Sequence, residues 1–209
     1  MKKKIVNSTA VKEINEIMQL FYDFFGEINT AFVKHRLSLK YQQAGSNFAK
    51  QSRQRLARFY AATETTGAEL LSIQAAAINF SKIFYDILRL SSPVEAKVNE
   101  KVLFSDEAVK EMSEILDRTR ELLLHVNDAL QTGNPLIISH IEKEAEALNS
   151  MTLNSTVLHE DRLCKGVCHP KASVIFMLML QQLQDILWHC KALVSEQNGV
   201  PNIAPLHTN

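Results

Sequence analysis

Apolar residues recur along this chain at steps of three and four, the spacing that gathers side chains on one face of an α-helix. The first such stripe runs Val11, Ile14, Met18, Phe21, Phe25, Ile28, Phe32. Moved along by 98 residues it becomes Val109, Met112, Leu116, Thr119, Leu123, Val126, Leu130, with only Thr119 breaking the apolar register. Identities accompany the spacing: AVKEINEIM at residues 10–18 faces AVKEMSEIL at 108–116. A second stripe, Leu70, Ile73, Ala77, Phe80, Phe84, Ile87, matches Phe176, Met179, Leu183, Ile186, Cys190, Leu193 at an offset of 106. The offset grows by eight residues, which places an insertion before the last helix of the second copy.

Two less regular helices are expected between these pairs, over 36–62 and 135–160, the second with Ile138, Ile141, Ala145 and Leu148 on one face. Ser8 or Thr9 and Ser105 are suited to cap the first helix of each copy. Asn134 before Pro135 reads as an N-cap followed by proline in the first turn, and Gly133 as the preceding stop. No alternating strand pattern of useful length occurs. The expected fold is all-α: two tandem three-helix bundles, six long helices related by an internal repeat. The first unit spans residues 8–92 and the second 105–197. SSPVEAKVNEKVLFS at 91–105 reads as the connector, with 93–104 between the units, and 198–209 is expected to be a flexible tail.

Composition supports long helices, with six Gly and five Pro in 209 residues and 46% hydrophobic content. The formal net charge is zero, which argues against a general polyanion binder. Three cysteines cannot all pair within one chain, and the amino terminus lacks the apolar core of a secretion signal, so a reducing cytoplasm is expected. The longest strongly apolar run is VIFMLML at 174–180. It is far shorter than the length needed to span a bilayer, roughly 20 residues.

Charge is nevertheless unevenly placed. From Ile28 to Thr63 there is no acidic residue, while Lys34, Arg36, Lys40, Lys50, Arg53, Arg55 and Arg58 are all basic. Such a run attracts anionic lipid headgroups or an acidic partner surface, unless acidic neighbours in the bundle neutralise it. Nucleic acid ranks third, because Tyr41, Phe48, Phe59 and Tyr60 fit a helical core and no nucleic-acid module matches.

Several segments of the second copy resemble the PhoU-type helical domain, in particular the version that follows the membrane part of bacterial sodium/phosphate cotransporters. These are FSDEAVKEMSEIL, IEKEAEALN at 141–149, HEDRLCKGVC and LQDILWHCKAL. The resemblance covers nearly all of residues 8–196, by motif in the second copy and by pattern in the first. In that family the loop before the last helix carries a His, an Arg-Leu pair, a Gly and a Cys, matching His159, Arg162, Leu163, Gly166 and Cys168. The resemblance implies two three-helix bundles side by side and a regulatory role, sensing or gating phosphate uptake without catalysis. It also marks a departure. The family's last helix carries a metal-binding Glu and Asp four apart, where this chain has Gln184 and Trp188, and the corresponding first-copy residues are Ile78 and Lys82. Asp185 stands one step around the helix, so the family's metal cluster is expected to be absent or much weakened.

Within HEDRLCKGVCHP at 159–170, His159, Cys164, Cys168 and His169 suggest zinc or a redox pair. The spacing is poor for zinc, since adjacent Cys168 and His169 would strain to ligate one ion, and the segment reads best as a turn between helices. Glu142 and Glu146 share a face of the fifth helix and are the remaining weak metal candidates, better read as a solvated acidic face. No nucleophile elbow, Gly-rich phosphate loop or HExxH is present. The expectation is therefore a non-enzymatic, cytoplasmic regulator of phosphate transport, without cofactor or metal. It would be associated with a sodium/phosphate cotransporter or its membrane domain, and would contact the anionic inner face of the membrane. A free-standing helical adaptor in phosphate signalling is the alternative, a metal-binding bundle is disfavoured, and self-association into a homo-oligomer stays open.

Overall fold

The computed structural model describes residues 8–62 and 68–195, which form six α-helices and no strand. They are α1 (Ser8–Lys34), α2 (Leu39–Ala62), α3 (Ala68–Asn99), α4 (Asp106–Thr132), α5 (Pro135–Cys164) and α6 (Pro170–Ser195). The expected tail over 198–209 lies outside the described residues, as does the side chain of Leu70 in the second stripe.

Three helix ends obey the local chemistry read from sequence, while Ser8 and Thr9 both stand within the first turn of α1. Ser105 has extended backbone, and its hydroxyl accepts from the Ala108 amide. Gly133 takes the left-handed conformation, φ 62°, and its N–H donates to the Ala129 carbonyl. The Asn134 side chain accepts from the Leu136 amide ahead of Pro135. Two ends use the left-handed conformation without glycine: His35, φ 48°, after α1, and Lys101, φ 54°, after α3.

Two boundaries correct the sequence reading. The expected connector over 91–105 is mostly helix, because α3 continues through Pro93 to Asn99 and only residues 100–105 link it to α4. Proline removes one helical donor, but the turn beyond it buries Val94 and brings Lys97 to the Phe32 carbonyl of α1, and these contacts hold the helix together. Likewise the 159–170 segment is a loop only over 165–169. Its first six residues are the last turns of α5, held by the packing of His159 and the ion pair of Arg162 described below.

Helices α1, α2 and α3 touch one another, as do α4, α5 and α6, and the two sets meet along α1 with α4 and α3 with α6, the most extensive joint. Both joints are antiparallel. Asn29 Nδ2 donates to Asp117 Oδ1 at 2.6 Å and Asn127 Nδ2 to Asn15 Oδ1 at 3.0 Å, while the Phe104 ring, just past α3, meets that of Phe176 near the start of α6. Val11, at the start of α1, is half-buried, and every other described member of the repeated stripes is buried or packed on the core, Thr119 included. The first half fills its interior with rings, Phe21, Phe24 and Phe48 among them, and the second with Leu, Ile and Met. Burying one such side chain contributes about 1.5–3 kcal/mol. The periodicity is thus the main determinant of the fold.

Candidate functional site

The basic run falls largely on the outward side of α2, opposite the stripe Tyr41, Phe48, Ser52, Leu56 and Phe59 that faces the core. Its seven charges divide. Arg55 is drawn inward, its Nη1 bonding both oxygens of Glu13 at 3.2 and 3.1 Å, with Glu16 beyond, and Lys40 pairs with Glu27. Lys34, Arg36, Lys50, Arg53 and Arg58 are exposed and have no carboxylate partner among the described residues. Arg53 lies 5.7 Å from the Phe84 ring centroid, a contact that leaves its charge uncancelled. Neutralisation by acidic neighbours therefore accounts for two of the seven positions. Between these charges the outer face carries Gln43, Ser46, Asn47 and Gln54, all exposed.

Of the residues that the sequence singled out at 159–168, His159 and Arg162 brace the end of α5 against its neighbours. His159, 2% exposed, stacks on Phe176 with ring centroids 4.5 Å apart and planes 19° apart. Arg162 forks onto Glu111 of α4, Nη1 to Oε1 at 2.7 Å and Nη2 to Oε2 at 2.9 Å. Hydrogen bonds to Glu111 first, and the neighbouring Cys168 sulfur, raise the already high proton affinity of Arg162. Gly166 takes φ 70° where the chain leaves α5, and the Val167 amide donates to the Arg162 carbonyl at 2.9 Å. Leu163 is on the exposed side. His169 stands just before α6, its Nδ1 accepting from the Lys171 amide at 3.2 Å.

Cys164 is exposed and Cys168 half-buried. Among the described residues no three His, Cys, Asp or Glu side chains stand close enough to hold a metal ion. Glu142 accepts from Ser195 at 3.0 Å and Glu146 from Lys191 at 2.5 Å, so both carboxylates face α6 and each has a hydrogen-bond partner there.

One cluster has no counterpart in the sequence reading. Where α3 meets α6, Asn79, Asp86, His189 and Cys190 are all buried. His189 Nδ1 lies 3.1 Å from Asn79 Oδ1, and its Nε2 lies 3.8 Å from Asp86 Oδ2, which has no hydrogen-bond partner among the described residues. The other Asp86 oxygen accepts from Arg89 Nη1 at 3.2 Å. Burial first, then Asp185, pushes the Asp86 carboxyl up to about 6, against Arg89 and Lys82. Burial and Lys82 hold the His189 imidazole below its usual value, and burial lifts the Cys190 thiol to about 12. A signal did exist. Asn79, Ile83, Asp86 and Leu90 form a second helical stripe on α3, beside the one read from sequence, with two polar members spaced by seven.

A second buried ion sits at the end of α1. Lys97, 4% exposed, donates to the Phe32 carbonyl at 3.3 Å and meets His35 Nδ1 at 2.7 Å, between the rings of Phe32 and Phe104. It satisfies the carbonyl end of α1, where the helix dipole favours a cation, although burial holds its ammonium below the usual lysine value. Nearby, Tyr41 donates to Glu95 Oε1 at 2.8 Å and helps line a shallow groove of about 400 Å³ between α2 and α3.

No helix among the described residues is long and apolar enough to cross a membrane. Compared with family models, curated proteins and solved structures, the chain found no match in any of the three.

Proposed function

We propose that the protein is a PhoU-like, non-enzymatic regulator of phosphate transport, working at the cytoplasmic face of the membrane by docking the outer side of α2 on an anionic surface. The observation that carries the docking is the set of five exposed basic side chains without carboxylate partners among the described residues: Lys50, Arg53 and Arg58 on α2, with Lys34 at the end of α1 and Arg36 in the turn before α2. Near an anionic leaflet each contributes about 1 kcal/mol, falling off within a Debye length of about 8 Å at physiological salt. Several together can localise a chain at a membrane surface without a spanning helix. The link to phosphate rests on the resemblance of the second-half motifs, and the fork of Arg162 onto Glu111 offers a structural reason for that loop motif. A binding role without catalysis rests on the same resemblance.

The test is a salt titration of binding to vesicles with and without anionic lipid, and to membranes containing a sodium/phosphate cotransporter, for wild type and for the triple reversal Lys50→Glu, Arg53→Glu, Arg58→Glu. Arg55 is left intact because it pairs with Glu13 inside the bundle. Binding that fades with salt and is lost in the triple variant, at unchanged helicity, supports the reading. Equal binding by the variant, or none by wild type at low salt, overturns the docking. Unchanged phosphate uptake in cells lacking the protein overturns the role.

A further inference from the structure

The α3–α6 joint brings two hydrogen-bond acceptors face to face without a bond between them. Asn79 Oδ1 can only accept, so the 3.1 Å contact requires a proton on His189 Nδ1. In the neutral ring that leaves a bare lone pair on Nε2, and Nε2 faces Asp86 Oδ2, an ionised acceptor when the carboxyl is deprotonated. The 3.8 Å gap is too long for a hydrogen bond, and Oδ2 is buried without another partner among the described residues. Burying an unpaired acceptor is costly, and two facing each other cost more.

We propose that Asp86, His189 and Asn79 form a one-proton site that links the two halves of the molecule: a single proton taken up between Asp86 Oδ2 and His189 Nε2 converts the open gap into a hydrogen bond and tightens the α3–α6 joint. The proton comes from solvent and returns to it, and no bond other than the hydrogen bond changes. Donor–acceptor distances for such a contact are about 2.7–3.0 Å, so the helices need approach by only about 1 Å, within the range of small interface shifts.

The groups facing the site favour this arrangement. From α3 itself, Arg89 holds the other Asp86 oxygen, and Lys82 stands near both Asp86 and His189. From α6 come Asp185, which favours a proton on either partner, and the Cys190 thiol, neutral throughout the physiological range. Among the described residues, no group of α1 or α2, the other helices packed on α3, or of α4 or α5, packed on α6, is among those that set the proton affinity of Asp86 or His189. An acid whose folded-state pKa is raised from 3.8 to about 6 binds its proton more tightly in the folded protein, so its contribution to stability grows as pH falls through 6 towards 4.

The site is tested on the full chain by nitrogen NMR of the His189 ring and by hydrogen exchange of α3 and α6 amides from pH 8 to pH 5, with chelator present. The expected results are an Nδ1–H tautomer at pH 8, a one-proton step near pH 6, and slower exchange along both helices below it. Asp86→Asn supplies an N–H to Nε2 without any proton uptake. It should lose the step and show the slow exchange of the acid form already at pH 8, whereas His189→Gln, which has no ring nitrogen to share the proton, should lose the pH-dependent slowing of exchange. An Nε2–H tautomer in wild type at pH 8 overturns the proposal without recourse to a variant. So does a step that survives in Asp86→Asn, or one that appears only when metal is added in place of chelator.

Discussion

Gly26 of α1 lies under the guanidinium of Arg120 of α4: a Cβ at position 26 would come within 2.7 Å of Arg120 Cζ and Nη2. The same guanidinium covers the Tyr22 ring, 4.1 Å from its centroid. The glycine thus gives up helix propensity so that a long cation from the opposite half can lie flat on α1.

The consequence is a different effect of the same substitution in two backgrounds. Gly26→Ala gains up to about 1 kcal/mol of helix propensity but displaces Arg120 from Tyr22, a contact worth about 0.5–1 kcal/mol. In the wild-type background the two nearly cancel, so the substitution should be close to neutral. Once Arg120→Ala has cleared the space, the same substitution should stabilise by about 1 kcal/mol. Urea unfolding of the four proteins of this cycle measures it, and simple additivity would contradict the packing described.

Thr119 occupies an apolar position of the repeat, is fully buried, and its hydroxyl has no hydrogen-bond partner among the described residues. Thr119→Val keeps the shape and branching and removes the orphaned group, so it should stabilise by about 1–2 kcal/mol. Thermal or chemical unfolding decides this, and a loss of stability would mean that the hydroxyl has a partner.

His159 is buried with neither ring nitrogen bonded among the described residues, and burial, then Arg162, holds its imidazole below the usual value. A base whose folded-state pKa is depressed resists protonation in the folded chain. Its contribution to stability is therefore full above about pH 6.5 and is lost as pH falls below that. His159→Phe keeps a ring stacked on Phe176 and removes the titration. The variant should gain on wild type between pH 7 and pH 5, whereas His159→Ala should cost about 2–4 kcal/mol at pH 7 through the cavity it leaves, and less at pH 5. Unfolding curves of the three proteins at both pH values provide the check.

The sequence by itself determined the helices, their caps and the core, because these depend on local quantities. Spacing by three and four decides which face is apolar, and Ser105, Asn134 and Gly133 act within a turn of where they stand. Pro93 reads as part of a connector in the sequence, but burial of Val94 and the bond from Lys97 to the Phe32 carbonyl outweigh one lost helical bond. What only the tertiary structure decided is how charged and polar groups pair between helices distant in sequence. Arg55 and Lys40 are neutralised by Glu13 and Glu27 of α1, while Arg53 and Arg58 of the same run stay exposed. Asp86 reads as one polar residue among many until α6 brings His189 to 3.8 Å from it. Helix periodicity is written in neighbouring residues. An ion pair, an orphaned acceptor or a shared proton depends on separations between side chains far apart in the chain, which packing alone sets.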